Sequence, residues 1–368
     1  MSSVQFLGMV PVRNSLFLVL LLWITLLSMT FPRGHALVNA QMVLDLGRGD
    51  DWVGEPTVLH NGTSFAMWFD EMNSTSPMRI GLATSKDGIS WSRYLHNPVL
   101  GRSRGEGWDS WDVENPWVLY EDGVYKMWYS GDGALSGPNS NMQIGYATSP
   151  DGMNWTKYSD NPVLTAGGNT WDDLAVSKPK VVHTGSAYLM YYKGESKESD
   201  ADTIGLATSK DGTHWTKTMK VTIPSGGWDN GAQVLGGVEN LNSSWLIVYA
   251  SSSSTSSVSI GIATSTDGVK WRPFSDNPII TPGPKGSWDS WAVTSPTAIG
   301  VGNDYYIYFD GIGVNAQNMI VGPRIGLAIV SAALVQAPEF PFAQVILITS
   351  PAVLVLIKRR QRWDRLSG

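Results

Sequence analysis

The chain of 368 residues contains no cysteine, which excludes disulfide bonds and thiol catalysis. Basic residues are also few: 26 Lys and Arg stand against 32 Asp and Glu, leaving a net charge of −6 and no basic stripe. Nucleic acid is therefore not expected as a partner. The five histidines show no metal-ligand spacing: His35, His60, His96, His183 and His214. We predict no metal site and no cofactor.

One short phrase recurs along the chain: Ile-Gly, then small or apolar residues, then Ser-x-Asp-Gly-x-x-Trp. It occupies residues 80–91, 144–155, 204–215 and 260–271, and its tryptophans are 64, 60 and 56 residues apart. Ile325-Gly326 opens a fifth copy that lacks the Asp-Gly and Trp. A period near 60 residues suits a four-stranded sheet, so each copy predicts one blade of a propeller.

Two β-rich runs precede each phrase, as at residues 55–59 and 65–70 in the first copy. Five such pairs predict an all-β fold, a five-bladed β-propeller of four-stranded blades. Blade five runs out of strands after residues 325–330, whereas residues 41–46 precede blade one. Because an open ring would expose a sheet edge, we expect this N-terminal strand to complete blade five.

The Asp-Gly pairs predict the turn from the third to the fourth strand of each blade. Asp-Gly favours a type I′ turn, in which both central residues adopt positive φ. The tryptophan three residues later is expected to pack between neighbouring blades. Since these residues repeat in four blades, we assign them to architecture.

Long connections are expected on one face of the ring, where binding sites concentrate. They are predicted at 71–78, 131–142, 194–202, 251–257 and 311–322. Trp-Asp recurs in four blade-to-blade loops, at 108–109, 171–172, 228–229 and 288–289, which again favours a structural role. Acids that break the repeat are better functional candidates. Glu55 stands one position, and Glu114 two, before the proline of an inner strand, where blades three and five carry Lys178 and Ser295.

These features resemble a superfamily of five-bladed enzymes. Five blades, an acid before proline, the repeated hairpins and the Asn-Pro-Val-Leu segments at Asn97 and Asn161 are similar to arabinanases, β-xylosidases, invertases and levansucrases, glycoside hydrolase families 43 and 32 and their relatives. The resemblance covers about residues 41 to 330. It implies paired carboxylates across a glycosidic bond, with a third acid that tunes the pair.

On this resemblance Glu55 and Glu114 are the catalytic candidates, and two assignments stay open. Either Glu55 stabilises the transition state and Glu114 is the general acid, or Glu55 is the base and Glu114 the stabiliser. The first leaves Ser295 where the family has its third acid, and the second leaves Lys178 in the place of the general acid. The substrate-binding candidates are Trp52, Asp70, Trp111, Asp112, Lys178 and Asp310. The three aspartates in this set are expected to supply the missing carboxylate.

The sequence therefore predicts a glycoside hydrolase-like protein that acts on an oligo- or polysaccharide. A pKa raised by burial and by neighbouring acids is expected for Glu114 if it is the proton donor. The alternative is a non-catalytic carbohydrate-binding or adhesion propeller. A sialidase is disfavoured, because its repeated box is one residue longer and arginines are few here.

The two ends of the chain predict its location. An apolar run at 16–27 followed by small residues predicts a secretory signal peptide over residues 1–40, before a propeller at 41–335. Residues 336–368 contain Pro338-Glu339-Phe340, an apolar run and Lys358-Arg359-Arg360. This tail resembles the archaeal PEF-CTERM sorting signal, which implies a sortase-like processing enzyme and membrane attachment. A plain tail anchor is the alternative, and both place the propeller at the cell surface.

Overall fold

The computed structural model describes residues 40–45, 52–73, 76–133, 142–225, 227–229, 234–241, 244–252 and 257–333. The whole predicted tail, and all of the predicted signal peptide except Ala40, lie outside these residues. In the described part, no helix is long and apolar enough to cross a membrane. Within the described ranges, twenty strands form five four-stranded antiparallel sheets.

Each blade is one of these sheets. Blade one comprises β2 (Trp52–His60), β3 (Phe65–Asn73), β4 (Ser76–Ser85) and β5 (Trp91–Arg93). Blade two comprises β6 (Asp112–Glu121), β7 (Val124–Asp132), β8 (Gln143–Ser149) and β9 (Thr156–Lys157). Blade three comprises β10 (Ala175–His183), β11 (Tyr188–Ser196), β12 (Ser199–Ser209) and β13 (Trp215–Val221). Blade four comprises β14 (Val234–Asn240), β15 (Trp245–Ser251), β16 (Ser259–Ser265) and β17 (Arg272–Pro273). Blade five comprises β18 (Ala292–Val301), β19 (Asp304–Val314), β20 (Ile320–Ser331) and β1 (Ala40–Leu44).

The five sheets form a closed ring. The inner strands contact one another in sequence, β2 with β6, β6 with β10, β10 with β14 and β14 with β18, and β18 contacts β2 again. Five apolar clusters fill the spaces between adjacent blades. The predicted five-bladed propeller is confirmed.

The N-terminal strand closes the ring as predicted. β1 pairs antiparallel with β20, with Ala40 opposite Ala328 and Leu44 opposite Ile325. The side chain of Leu44 is buried and packs with residues of blades one and five. Blade five is therefore built from both ends of the domain.

The Asp-Gly turns lie where predicted, but the predicted type I′ geometry is wrong. Gly88 has a φ of +74°, whereas Asp87 is not at positive φ. The Asp87 Oδ1 atom instead accepts the backbone N–H groups of Ile89 at 2.8 Å and Ser90 at 2.7 Å, and the Ser85 Oγ atom accepts that of Gly88 at 2.8 Å. The hydrogen bonds of these two short polar side chains thus stabilise the turn without a positive φ angle at Asp87.

The hairpin tryptophans pack between blades, as predicted. Trp91 of blade one meets Tyr308 of blade five edge to face, with ring centroids 5.8 Å apart. Each hairpin glycine also accepts, through its carbonyl, a hydrogen bond from an aromatic side chain of the preceding blade. The four bonds are Trp68 to Gly152, Trp128 to Gly212, Tyr191 to Gly268 and Tyr308 to Gly88. The last of them spans the seam at which the ring closes.

The Asn-Pro-Val-Leu segments also have a structural role. The Asn97 side chain accepts the backbone N–H of Leu82 at 2.9 Å and donates to its carbonyl at 3.0 Å. Asn161 makes the same pair of bonds with Tyr146, and Asn277 makes them with Ile262. This part of the motif therefore extends the pairing of the third strand.

Three of the predicted long loops are wrong. In blade one the ladder continues to Asn73 opposite Ser76, and in blade three to Ser196 opposite Ser199. In blade five it continues to Val314 opposite Ile320. The second and third strands are longer there than expected, because pairing continues through residues that the sequence pattern assigned to loops.

Candidate active site

The candidate site lies in the funnel, meaning the end of the central axis at which the inner strands β2, β6, β10, β14 and β18 begin. In four blades the residue before the inner-strand proline adopts the left-handed conformation. The φ angles are 50° for Glu55, 54° for Asn115, 52° for Lys178 and 49° for Ser295. Non-glycine residues rarely adopt this conformation, and such backbone strain tends to cluster at functional sites.

Glu55 and Glu114 do not occupy equivalent positions. Glu55 is equivalent to Asn115, and Glu114 lies one residue earlier on its strand. Glu114 pairs with Ser130 just as Gly54 pairs with Asp70 on the neighbouring blade. The two candidates thus reach the funnel from different registers.

Two buried aspartates hold the left-handed residues in place. The backbone N–H of Glu55 donates to Asp310 Oδ1 at 2.9 Å, and that of Asn115 donates to Asp70 Oδ1 at 2.8 Å. In each case the acid comes from the second strand of the preceding blade. A Cβ atom on Gly54 would lie 2.8 Å from the Asp310 carboxylate, which explains the glycine at that position. Asp70 and Asp310 therefore position the backbone of the site.

Glu55 is held as a carboxylate by a partly buried lysine. Its Oε1 atom is ion-paired with Lys178 Nζ and accepts a hydrogen bond from Ser295 Oγ at 2.7 Å. Burial opposes ionisation of Glu55. The charges of Lys178 and Lys180 and these hydrogen bonds outweigh burial, so the pKa of Glu55 is lowered. The pKa of Lys178 is raised by the same pairing, although burial acts in the opposite direction.

In contrast to Glu55, Glu114 favours the protonated form. Its side chain is partly buried, and no described residue donates a hydrogen bond to it. Burial raises the pKa of Glu114 to about 7, with the charges of Glu55 and Asp112 adding to the effect and that of Lys178 opposing it. A carboxyl group with this pKa is partly protonated at neutral pH and can donate a proton.

The positioning aspartates are affected by the same cluster of charges. The pKa of Asp70 is well above its ordinary value because of burial and then the charges of Glu114 and Glu55. That of Asp310 is raised by burial and then by Glu55. The funnel thus holds four interacting carboxyl groups in which Glu55 is favoured as the ionised member.

Lys180 was missed by the sequence reasoning. It is buried on β10, and its Nζ atom lies 5.0 Å from the centroid of the Trp117 ring. Burial lowers the pKa of Lys180 to about 8, with repulsion from Lys178 adding to the effect and attraction to Glu55 opposing it. The signal was available, because two lysines flank a proline in a strand that should be buried.

The remaining candidates lie around this cluster. Asp112 accepts the backbone N–H of Met78 at 2.6 Å, yet burial raises its pKa. Trp52 is partly buried, and its indole N–H has no partner among the described residues. Trp111 is 41% exposed at the start of β6. Trp291, which the sequence reasoning missed, is 46% exposed at the corresponding place before β18, since each follows Trp-Asp-Ser.

The repeated Trp-Asp pairs make the same contact in three blades. The aspartate accepts a hydrogen bond from a second-strand tyrosine, and the tryptophan packs on that ring. The pairs are Asp109 with Tyr129, Asp172 with Tyr192 and Asp229 with Tyr249. They support the blades, as predicted. Within the described ranges, no group of three His, Asp or Glu residues is arranged to hold a metal ion.

Comparisons with known sequences give partial matches. No protein-family model matches the chain. An uncharacterized protein of Mycobacterium tuberculosis is 30% identical over 159 residues, which cover 41% of this chain and 49% of that protein. A 1,2-β-oligomannan phosphorylase of Thermoanaerobacter sp. is 29% identical over 136 residues, covering 35% and 44%. The matched part is thus about half the length of these relatives.

Solved structures match most of the protein. The structure of an RGII complex of BT0996 has a TM-score of 0.65 at 18% identity, and the match covers 83% of the present protein and 92% of BT0996. A β-1,2-mannobiose phosphorylase from Listeria innocua has a TM-score of 0.59 at 13% identity, covering 82% and 96%. A structure from work on family GH130, its mannoside phosphorylases and its glycoside hydrolases, has a TM-score of 0.56 at 18% identity, covering 81% and 92%. These likenesses show the fold, and the family named among them is 130 rather than 43 or 32.

Proposed function

We propose that the protein cleaves glycosidic bonds in the funnel, with Glu114 as proton donor and Glu55 as the ionised partner. The observation that carries this proposal is that the pKa values of two carboxyl groups in one cluster are shifted in opposite directions. The pKa of Glu114 is raised to about 7, mainly by burial, and that of Glu55 is lowered because Lys178 and Ser295 outweigh burial. Carboxyl pairs whose environments separate their pKa values are typical of acid and base assignments.

Each group then has a defined task. Protonated Glu114 gives its proton to the leaving oxygen as the glycosidic bond breaks. The Glu55 carboxylate stabilises the positive charge that develops on the sugar ring or activates the attacking group. Lys178 keeps Glu55 ionised, and Asp310 fixes its backbone. This favours the first of the two assignments that the sequence left open.

We propose β-1,2-linked mannosides as the substrate class. Two of the similar proteins are named for phosphorolysis of β-1,2-mannose linkages, and the work on family 130 also describes glycoside hydrolases that target them. In hydrolysis water attacks the anomeric carbon and releases a free sugar. In phosphorolysis inorganic phosphate attacks and releases a sugar 1-phosphate. The two cations of the funnel, the partly buried Lys178 and the buried Lys180, are compatible with an anionic co-substrate.

The first experiment is a product assay with the purified protein and β-1,2-mannobiose, with and without inorganic phosphate. Mannose in both samples indicates hydrolysis, and mannose 1-phosphate only with phosphate indicates phosphorolysis. A panel of other β-linked disaccharides serves as the specificity control. No cleavage of any of them contradicts the proposal.

The role of Glu114 is tested by its substitution. Glu114→Gln should slow the cleavage of mannobiose by about 10²-fold or more, because general acid catalysis contributes about that much. Activated aryl mannosides should lose far less, since their leaving groups need no proton. Equal losses on both substrates would assign Glu114 to binding or folding instead.

A carbohydrate-binding propeller without catalysis is the second candidate. The observation in its favour is that Glu55 is already engaged by Lys178 and Ser295, while Asp70 and Asp310 are engaged by backbone groups. Binding of β-1,2-oligomannosides that is retained in Glu114→Gln, without turnover by the unsubstituted protein, would support it.

We also propose export and membrane attachment at the cell surface. The support is the order of residues at the two ends, a charged and apolar leader and a tail of Pro-Glu-Phe, apolar and basic segments. Mass spectrometry of the native protein should find residues 1–36 removed, and cell fractionation should find the protein with the membrane. A full-length protein in the cytosolic fraction would contradict the proposal.

A further inference from the structure

A cavity lies at the end of the central channel opposite to the funnel, where the inner strands end. Its volume is about 680 Å³, within the range of ligand pockets. It is lined by the far ends of β2, β6, β10 and β14, at residues such as Leu59, Leu119, Val182 and Glu239. Glu55, Glu114 and Lys178 stand nearer the starts of the same strands and are not in its lining. The cavity is therefore separate from the funnel.

One blade breaks the apolar pattern of this cavity. The strand registers place Leu59, Leu119, Val182, Glu239 and Ile299 at the same level of the five inner strands. Four of these side chains are aliphatic and the fifth is an acid. No described residue forms a hydrogen bond or an ion pair with the Glu239 carboxyl group. Burial raises the pKa of Glu239 from its ordinary value of 4.5 to about 8.

The other charged groups of the lining are acidic and already engaged. Glu121 accepts hydrogen bonds from Lys126 at 2.8 Å and Tyr188 at 2.7 Å, and its other oxygen lies 3.0 Å from His183 Nδ1. Asp151 accepts backbone N–H groups of its own turn. Among the residues described, no lysine or arginine lines the cavity. The described lining thus contains acidic side chains but no lysine or arginine, and Glu239 is the acid in it that has no partner among the described residues.

Aromatic rings form part of the remaining wall. Tyr120 is 55% exposed and Tyr125 partly buried, whereas Phe65, Trp68 and Trp117 line the cavity with little exposed surface. Aromatic faces together with a carboxylate are the chemistry that binds organic ammonium groups, and desolvation strengthens such contacts. Burying a carboxyl group without a hydrogen-bonding or charged partner costs free energy. Because this one lines a cavity of ligand size, a ligand is the expected partner.

We propose that this cavity binds a small organic cation, whose charged group lies against Glu239 and whose apolar body lies against the aromatic and aliphatic wall. The site is independent of the activity proposed for the funnel. Because the bound cation favours the carboxylate, binding expels the proton that Glu239 holds at neutral pH. The other titratable groups that face the cavity are His60, Tyr120, Glu121, Tyr125, Asp151 and His183.

The test uses the full-length protein and benzyltrimethylammonium, whose charge does not change with pH. Isothermal titration calorimetry at pH 7 and pH 9 should show affinity about tenfold higher at pH 9, since a pKa of about 8 leaves roughly a tenth of Glu239 ionised at pH 7. At pH 7, titrations in two buffers of different ionisation enthalpy should show release of nearly one proton per ligand.

Two variants separate this site from the funnel. Glu239→Gln should weaken binding at least tenfold at pH 9 and leave cleavage in the funnel unchanged. Glu114→Gln should leave ammonium binding unchanged, whatever it does to cleavage. Loss of binding in Glu114→Gln would place the ligand in the funnel and overturn the proposal.

Other results would also overturn it. These are absence of binding at pH 9, equal affinity of Glu239→Gln, or affinity that falls between pH 7 and pH 9. Thermal melting verifies that each variant is folded. If Glu239→Gln does not fold, Leu119→Trp, which fills the cavity from inner strand β6, must weaken binding tenfold, and unchanged binding contradicts the proposal.

Discussion

The outer parts of the blades repeat the same contacts, whereas the axis does not repeat. Four hairpin glycines accept an aromatic donor from the preceding blade. At the funnel the four left-handed positions carry Glu55, Asn115, Lys178 and Ser295, no two of them alike. Repetition thus records the requirements of the ring, and its interruption marks the places where blades have separate tasks. The following substitutions test this division.

The largest effect is expected at the axis. Lys178→Met should lower the turnover rate by about 10²-fold or more, because Glu55 would then take up a proton beside Asp310 and Asp70. Lys126→Met is a matched control. Its side chain is 18% exposed, as is that of Lys178, and it is also ion-paired with a glutamate, but at the other end of the channel. Equal turnover in the two variants, measured with β-1,2-mannobiose, would contradict the division.

A repeated position should affect stability without affecting activity. Asp172→Ala removes the partner of Tyr192, at 2.8 Å, and of Lys217, at 2.7 Å, both in blade three. The free energy of unfolding should fall by about 2–4 kcal/mol, because a hydroxyl and an ammonium lose their buried acceptor. Urea unfolding measures the loss. A reduced turnover rate at temperatures where the variant is fully folded would place this aspartate in the site.

The interruption at Glu239 should appear as a pH dependence of stability. Its pKa rises from 4.5 to about 8 on folding because of burial, so folding binds a proton between these values. The stabilisation is complete below about pH 4.5 and is lost as the pH rises through 8. Relative to Glu239→Gln, the unsubstituted protein should therefore lose about 1–2 kcal/mol between pH 5 and pH 9, after allowance for partial exposure. If the stability of the two proteins changed with pH in parallel, the raised pKa of Glu239 would be contradicted.

The smallest effect is expected at the rim of the funnel. Trp111→Ala and Trp291→Ala remove exposed rings at corresponding places in blades two and five. If both contact substrate, each should raise KM about fivefold, equivalent to about 1 kcal/mol, with little change in kcat or melting temperature. An effect of one variant alone would show that substrate lies toward that blade. Unchanged KM in both would limit binding to the centre of the funnel.

Periodicity was sufficient to predict the blades, because a four-stranded sheet is a local unit that the sequence repeats. The turn type at Asp87 was predicted wrongly, since two side-chain hydrogen bonds replace the expected backbone geometry. The closing strand was predicted from an unfilled place in blade five. Its pairing with β20 follows from the cost of an open edge rather than from any signal in residues 40–44.

Some residues of the candidate site could be selected from the sequence, but their contacts could not. Interrupted repetition identified Glu55, Glu114 and Lys178 as candidates. It did not predict that Lys178 and Glu55 form an ion pair across the axis. That Asp310 binds the backbone of Glu55 depends on ring closure, which brings together residues from opposite ends of the domain. Glu239 stands at a position that is aliphatic in the other four blades. Both it and Lys180 lie inside an inner strand, where the strand pattern predicts no site. Charged residues that interrupt an inner strand are the signal to follow in related propellers.

The closing strand also sets the order in which this domain can be made. Synthesis produces β1 first and β20 last, so the strand made earliest waits without its partner until the final blade has left the ribosome. A polypeptide halted anywhere before residue 320 carries unpaired sheet edges and an incomplete ring, the kind of species that chaperones recognise. Folding of this propeller is therefore tied to completion of its translation.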